Sequence, residues 1–207
     1  MSKLIATIIT YNDYPLIKDC IESVIDKVYK VVVIDGRFKD FPGQWQNSTD
    51  GTLQYLSKLD IDLTLTYNSD EVDKRNGYLE QLEDGDICLN IDADEVLVGN
   101  IPNLKADIGI IMIGEAGDTK RHLRSIRFFR YQKGLHYYGK HKLMLDKDNN
   151  LFASLDRVGG RYTSQKITEF EFLHNNHKRS IERKQDKEAY YKMLMKREAK
   201  INEPVGN

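Results

Sequence analysis

Asp86 to Val98 reads DICLNIDADEVLV, and its two halves obey different physics. Ile87, Cys88, Leu89 and Ile91 form a short apolar run, suited to a strand buried between two layers. Asp92, Asp94 and Glu95 follow at once, three carboxylates within four residues. Clustered negative charge at the end of a buried strand is costly unless a cation sits beside it. Two hard oxygen donors spaced i, i+2 suit a divalent ion such as Mg²⁺ or Mn²⁺. The competing reading is a solvated acidic loop after an edge strand, so the flanking sequence has to decide.

The upstream sequence repeats the pattern. Leu4 to Ile9 is apolar and breaks into Thr10-Tyr11-Asn12-Asp13, a buried parallel strand followed by a polar loop. Pro15 predicts the first turn of a helix capped by Asp13, with Leu16, Cys20, Ile21, Val24 and Ile25 at helical spacing. Val31 to Ile34 predicts a second strand, again ending in a carboxylate, Asp35. Ser48 to Thr52 offers caps for a helix through Leu53, Leu56 and Leu59, and Ile61 to Tyr67 predicts a third strand. A helix over about 71–82 leads into the quoted stretch. Alternating strands and helices imply a mostly parallel α/β sheet with helices on both faces.

Beyond Leu97 the pattern changes. Strands are expected over 108–113, 125–131, 135–145 and 167–173, adding mixed or antiparallel pairs, and a charged helix over about 180–201 closes the chain. The 207 residues suit one domain, with 1–98 as its first half, 99–178 as its second and 179–207 as a terminal helix.

A content of 40% hydrophobic and 30% charged residues is that of a soluble globular chain, and a net charge of −1 argues against general attraction to nucleic acid. Acids concentrate in 60–95 and bases in 120–147 and 178–200. Cys20 and Cys88, both in apolar settings, make neither a disulfide framework nor a thiolate metal site. With no signal peptide and an N-terminal apolar run too short to span a bilayer, the expected location is cytoplasmic.

Taken in order, TYN, VVVIDG, STDGT, KRN, GDICLNIDADE and RSIRFFRYQKGLHYYG resemble the GT-A glycosyltransferases, most closely family 2. The resemblance implies a Rossmann-like fold and a metal-dependent transfer, with inversion, from a nucleoside-diphosphate sugar, a UDP-sugar first, to a glycan, lipid-linked or other hydroxyl acceptor. It places Thr10, Tyr11, Asn12, Asp35, Arg75 and Asp92 on the donor, with the Tyr11 ring against the nucleobase. It assigns Asp94, Asp92 and His174 to a Mn²⁺ or Mg²⁺ ion, with His177 a further candidate. His141 and Glu95 are candidates for the acceptor base, with Glu115 and Asp118 behind them. Residues 37–47 depart from the family pattern, separating the strand-end Asp35 from the STDGT turn. Ser48 and Asp50 are therefore read as caps.

Three stretches take plainer readings. Lys74, next to Arg75, points about 100° away and is expected in solvent, as are Glu71 and Asp73. Arg127, Arg130, Lys140 and Lys142 alternate with aromatics, giving either one solvated face or cations for a diphosphate. Arg179, Arg183, Lys184 and Lys187 are expected on a solvated helix face. The stripe Tyr190, Tyr191, Met193, Leu194 and Met195 would suit docking or peripheral membrane contact. Two alternatives to the transferase are a non-catalytic nucleotide-sugar or carbohydrate-binding module and a sugar nucleotidyltransferase. The latter would open with a Gly-rich basic loop, and TYNDYP is not one.

Overall fold

The computed structural model describes residues 2–116, 118–138, 143–154 and 157–201, with side chains over all of these but 118–122, 143, 176 and 195–201. The first half runs β1 (Leu4–Thr10), α1 (Leu16–Val24), β2 (Lys30–Asp35), α2 (Thr52–Leu56), β3 (Asp62–Leu65), α3 (Glu71–Leu79) and β4 (Ile87–Asn90). The remainder runs β5 (Glu95–Gly99), β6 (Ile108–Glu115), β7 (Asp118–Arg130), β8 (His136–Tyr138), β9 (Leu143–Leu145), β10 (Leu151–Ala153), β11 (Ser164–His174) and α4 (Ile181–Ile201).

Eight strands form one sheet in the order β3-β2-β1-β4-β7-β6-β11-β5, and β10-β9-β8 form a second, small sheet. The pairs among β3, β2, β1 and β4 are parallel, as is β6 with β11. The pairs of β7 with β4 and β6, and of β5 with β11, are antiparallel. The mostly parallel α/β sheet with added antiparallel strands and a terminal helix is therefore present.

Strand alternation explains the two cores. On β1 and β2, Ala6, Ile8, Val31 and Val33 face one layer, while Ile5, Ile9, Val32 and Ile34 face the other. Helix α1 covers the first with Ile17, Cys20, Ile21 and Val24, all fully buried. Helix α3 covers the second with Tyr78 and Leu79, beside Tyr137, Met144 and Phe152 of the small sheet. Each such aliphatic side chain contributes about 1.5–3 kcal/mol by leaving water.

Several local expectations are corrected. Asp13 does not cap α1, whose N-terminal residue Pro15 makes no side-chain cap. Helix α2 stops at Leu56, with Gly51 at its N-terminus. A capping box does form at α3, where Asp70 and Asp73 bond reciprocally, so Asp73 is not an idle surface charge. The 135–145 segment is two short strands of a separate sheet. Strand β5 follows directly on the acidic cluster and closes the far edge of the main sheet. Among the described residues no helix is long and apolar enough to cross a membrane.

Candidate functional site

The carboxyl ends of β1 and β4 lie side by side, and the chain leaves β1 toward β2 on one side while β4 lies on the other. That is a topological switch point, where loops part and open a crevice. A cavity of about 80 Å³ sits there, lined from β1 and its loop by Ile9 and Asp13, and from the stretch after β4 by Asp92, Ala93 and Asp94. Phe38 and Phe41 of the 37–47 segment, Glu71 and Arg75 of α3, and Arg179, Arg183, Lys187, Tyr190 and Tyr191 complete it. Four acids, Asp13, Glu71, Asp92 and Asp94, thus meet four bases, Arg75, Arg179, Arg183 and Lys187.

The loop after β1 is tied internally. Asp13 Oδ2 accepts from Thr10 Oγ1 and the Tyr11 N–H, both at 3.3 Å. Asn12 adopts a positive φ of 51°, its N–H donates to Ser48 Oγ at 2.7 Å, and its Oδ1 accepts from the Thr49 N–H at 2.7 Å. Thr10 is fully buried. The Tyr11 ring, expected against a nucleobase, is instead buried edge-on to Phe41 at 6.0 Å, with its hydroxyl donating to the Trp45 carbonyl at 2.9 Å.

Asp35 is fully buried at the end of β2. Its carboxylate accepts from the Ser48 hydroxyl and, at 3.1 Å, from the Ser48 N–H. Burial pushes its pKa up, with the Ser48 bonds opposing. The 37–47 segment therefore leaves the strand end and returns to it. Ser48 is a bridge between Asp35 and Asn12 rather than a helix cap, while Asp50 Oδ1 does accept the Thr52 N–H at 3.1 Å. Gly36 makes the exit possible: a Cβ there would lie 2.3 Å from the Thr66 carbonyl oxygen.

Lys74 is not in solvent. It is fully buried, donating to the Gly36 carbonyl and lying 3.8 Å over the Phe38 ring. Burial lowers its pKa to about 7. Arg75 donates to Asn90 Oδ1 at 2.7 Å, to Glu71 at 3.0 Å and to Asp92 Oδ1 at 3.2 Å.

At the acidic cluster Asp92 and Glu95 form a tight reciprocal turn. The Asp92 N–H donates to Glu95 Oε2 and the Glu95 N–H to the Asp92 carbonyl, each at 2.9 Å. Arg127 of β7 pairs with Asp92 at 2.8 Å and Glu95 at 2.7 Å, which rules out the solvated-face alternative for it. Burial alone would raise the Asp92 carboxyl, but Arg127 and Arg75 outweigh it and hold it well below the usual range. Glu95 has no exposed surface, and burial raises its pKa despite Arg127. The enclosed carboxylate is engaged by the Asp92 N–H, Arg127 and His174.

Asp94 faces the opposite way. Its Oδ2 lies 3.3 Å from both Arg179 and Lys187, and Arg179 also bonds Asp13 at 3.1 Å. Burial works against ionisation here too, but Lys187 and Arg179 keep its pKa lowered. Arg183 donates to the Tyr11 carbonyl and stacks 4.5 Å from the centre of Phe41. These cations point inward, not to solvent. Tyr190, expected in a docking stripe, is buried 5.1 Å from the Phe41 ring centre.

The proposed metal set is not assembled. His174 pairs with Glu95 at 3.0 Å and Glu115 at 3.4 Å, and not directly with Asp94. Among the described residues no three His, Cys, Asp or Glu side chains converge on one point. Asp92 and Asp94 each meet two protein cations, so this arrangement does not fit a Mn²⁺ or Mg²⁺ cage. His177 is exposed. His141 lies outside the described residues, as do the side chains of Asp118 and Met195.

Glu71, Arg179, Arg183 and Lys187 are charged pocket residues that were expected in solvent, and Arg127 is one for which a solvated face was left open. Arg179, Arg183 and Lys187 are four apart, which was a visible signal for one face of a helix. Arg127 needed the β4–β7 register, in which Leu89 meets Phe128 and sets Arg127 beside the end of β4.

The chain is thus a mixed α/β protein with a charged pocket at the switch point of its sheet. No family model matches it, and no curated protein does either. Among solved structures it is similar to S. aureus TarS, at 24% identity and a TM-score of 0.43 over 57% of this chain and 23% of that one. A truncated TarS with UDP-GlcNAc gives 24% identity, a TM-score of 0.44 and cover of 57% and 37%. The same fragment with UDP gives 24% identity, 0.43, 57% and 38%. The chain spans less than two-fifths of the length of those chains.

Proposed function

We propose that this chain is a glycosyltransferase that binds a nucleoside-diphosphate sugar, a UDP-sugar first, and passes the sugar to a hydroxyl acceptor. One observation supports this reading above the others. The pocket lies outside the carboxyl ends of parallel strands at a switch point, and four cations line it. Such a crevice suits a ligand with a flat base, a ribose and a charged diphosphate.

In the reaction, the bond between the anomeric carbon and the diphosphate oxygen breaks, and its electron pair leaves with the diphosphate. The acceptor oxygen bonds the same carbon from the opposite face and gives up its proton to a base. The transition state is oxocarbenium-like, so fixed charge at the leaving oxygen lowers the barrier. Arg75 and Arg127 hold Asp92 in place for a ribose hydroxyl. Phe38 and Phe41 give the base an apolar wall.

At about 80 Å³ the cavity is smaller than the roughly 300 Å³ or more of ordinary ligand sites, so α4 has to ease outward as the donor enters. Incubating the protein with a panel of UDP- and GDP-sugars and measuring release of the nucleoside diphosphate tests the reading. Binding with no turnover on any acceptor would favour the non-catalytic module, and no binding at all would overturn the nucleotide site.

A further inference from the structure

The geometry points to a metal-independent site in which Arg179 and Lys187 hold the diphosphate in the place a divalent ion would take. This rests on the nucleotide-sugar reading above. Asp94 is the carboxylate that the sequence pattern offered to a metal. Its Oδ2 is met by Arg179 Nη2 and Lys187 Nζ, both at 3.3 Å. A divalent ion bound to that oxygen would sit beside two positive charges at a buried carboxylate, where repulsion is weakly screened. The two cations and the ion are therefore mutually exclusive at Asp94.

The cations are also built in. Arg179 is 5% exposed at its side chain and is held from a second side by Asp13 at 3.1 Å. Arg183 is fixed one helical turn on, against Tyr11 and Phe41. Lys187, at 37% exposure, is the most open of the three and lines the cavity. Asp94 on this view positions the cations and does not bind metal. A guanidinium and an ammonium at one point supply the charge-assisted bonds that a diphosphate accepts.

The test is calorimetric titration of UDP, and then GDP, into the full chain, once with EDTA and once with Mn²⁺. Wild type, Lys187→Gln and Lys187→Arg are compared, with circular dichroism to confirm the fold. Electron paramagnetic resonance reads free Mn²⁺ in the nucleotide-free protein. The expected result is equal affinity for one nucleotide with EDTA and with Mn²⁺, and no capture of Mn²⁺. Lys187→Gln should weaken binding about tenfold or more, and Lys187→Arg should restore most of it. Binding that requires Mn²⁺ would overturn the inference and leave the nucleotide-sugar reading standing. Failure of both nucleotides under both conditions would overturn the two together.

Discussion

Asp92 and Asp94, two residues apart, pair directly with different cations, Arg75 and Arg127 for the first, Arg179 and Lys187 for the second, while the Lys187 charge also acts on Asp92. Alternation after β4 turns one carboxylate toward the sheet and α3 and the other toward α4. The acidic cluster therefore feeds two sets of ion pairs on either side of one alanine, coupled through Lys187. Each set binds a different piece of the chain to the strand end.

Arg127 is the element that joins β7 to this turn. Arg127→Gln leaves Asp92 with Arg75 alone and leaves Glu95, fully buried, without its closest cation. Breaking one side of such a buried pair costs about 3 kcal/mol. Urea unfolding at neutral pH checks this, and a loss below about 1 kcal/mol would mean that the pair is compensated by water.

His174 makes the sheet edge sensitive to pH. The facing Glu95 carboxylate raises its pKa above the ordinary 6.5, so the folded state holds the proton more tightly than the unfolded state. That contribution is complete below 6.5 and is lost as pH rises through the raised value. The stability difference between wild type and His174→Gln should thus shrink as pH rises from 6.5 through the raised value. A difference that is flat or grows with pH would reverse the assignment.

Lys74 acts with the opposite sign. Its folded pKa is about 7 against an ordinary 10.5, because burial penalises the ammonium. Between those values the unfolded chain binds more protons, so stability rises with pH from 7 toward 10.5. Lys74→Met should be flatter across that range, by on the order of a few kcal/mol. Parallel curves for the two proteins would show that the buried lysine stays charged, held by its carbonyl acceptors and the Phe38 ring.

The misreadings share a physical cause. β1, β2 and β4 were legible because strands buried on both faces spell continuous apolar runs. β5 was not, since its Val98 is 46% exposed and its first residue is a glutamate of the acidic cluster. Lys74 and Arg75 do point apart on α3. The 37–47 segment folds back over the Lys74 side, however, and so encloses a residue that local pattern put in water. Tyr11 is buried for the same reason, with Phe41 of that segment on its ring. Long-range returns of this kind leave no periodicity to read. Arg179, Arg183 and Lys187 had the spacing of a helix face, but solvated helix faces have that spacing too, and only the docking of α4 on Asp94 separates the two cases.

That docking has an apolar half that can be tested by itself. The Tyr190 ring lies 5.1 Å from Phe41 and 6.5 Å from Phe38, with Met193 and Leu194 packed against the same cluster. Buried ion pairs lose in desolvation much of what they gain in attraction, so the aromatic contact should decide how firmly α4 is seated. Tyr190→Ala is then expected to raise amide hydrogen exchange over 181–194 by about tenfold or more while leaving β1, β2 and β4 protected. If entry of the donor requires α4 to ease outward, the same variant should bind UDP with a faster association rate in stopped-flow fluorescence. Unchanged exchange would mean that Arg179 and Lys187 hold the helix without the ring. Faster exchange with an unchanged association rate would mean that the donor enters by another side of the pocket.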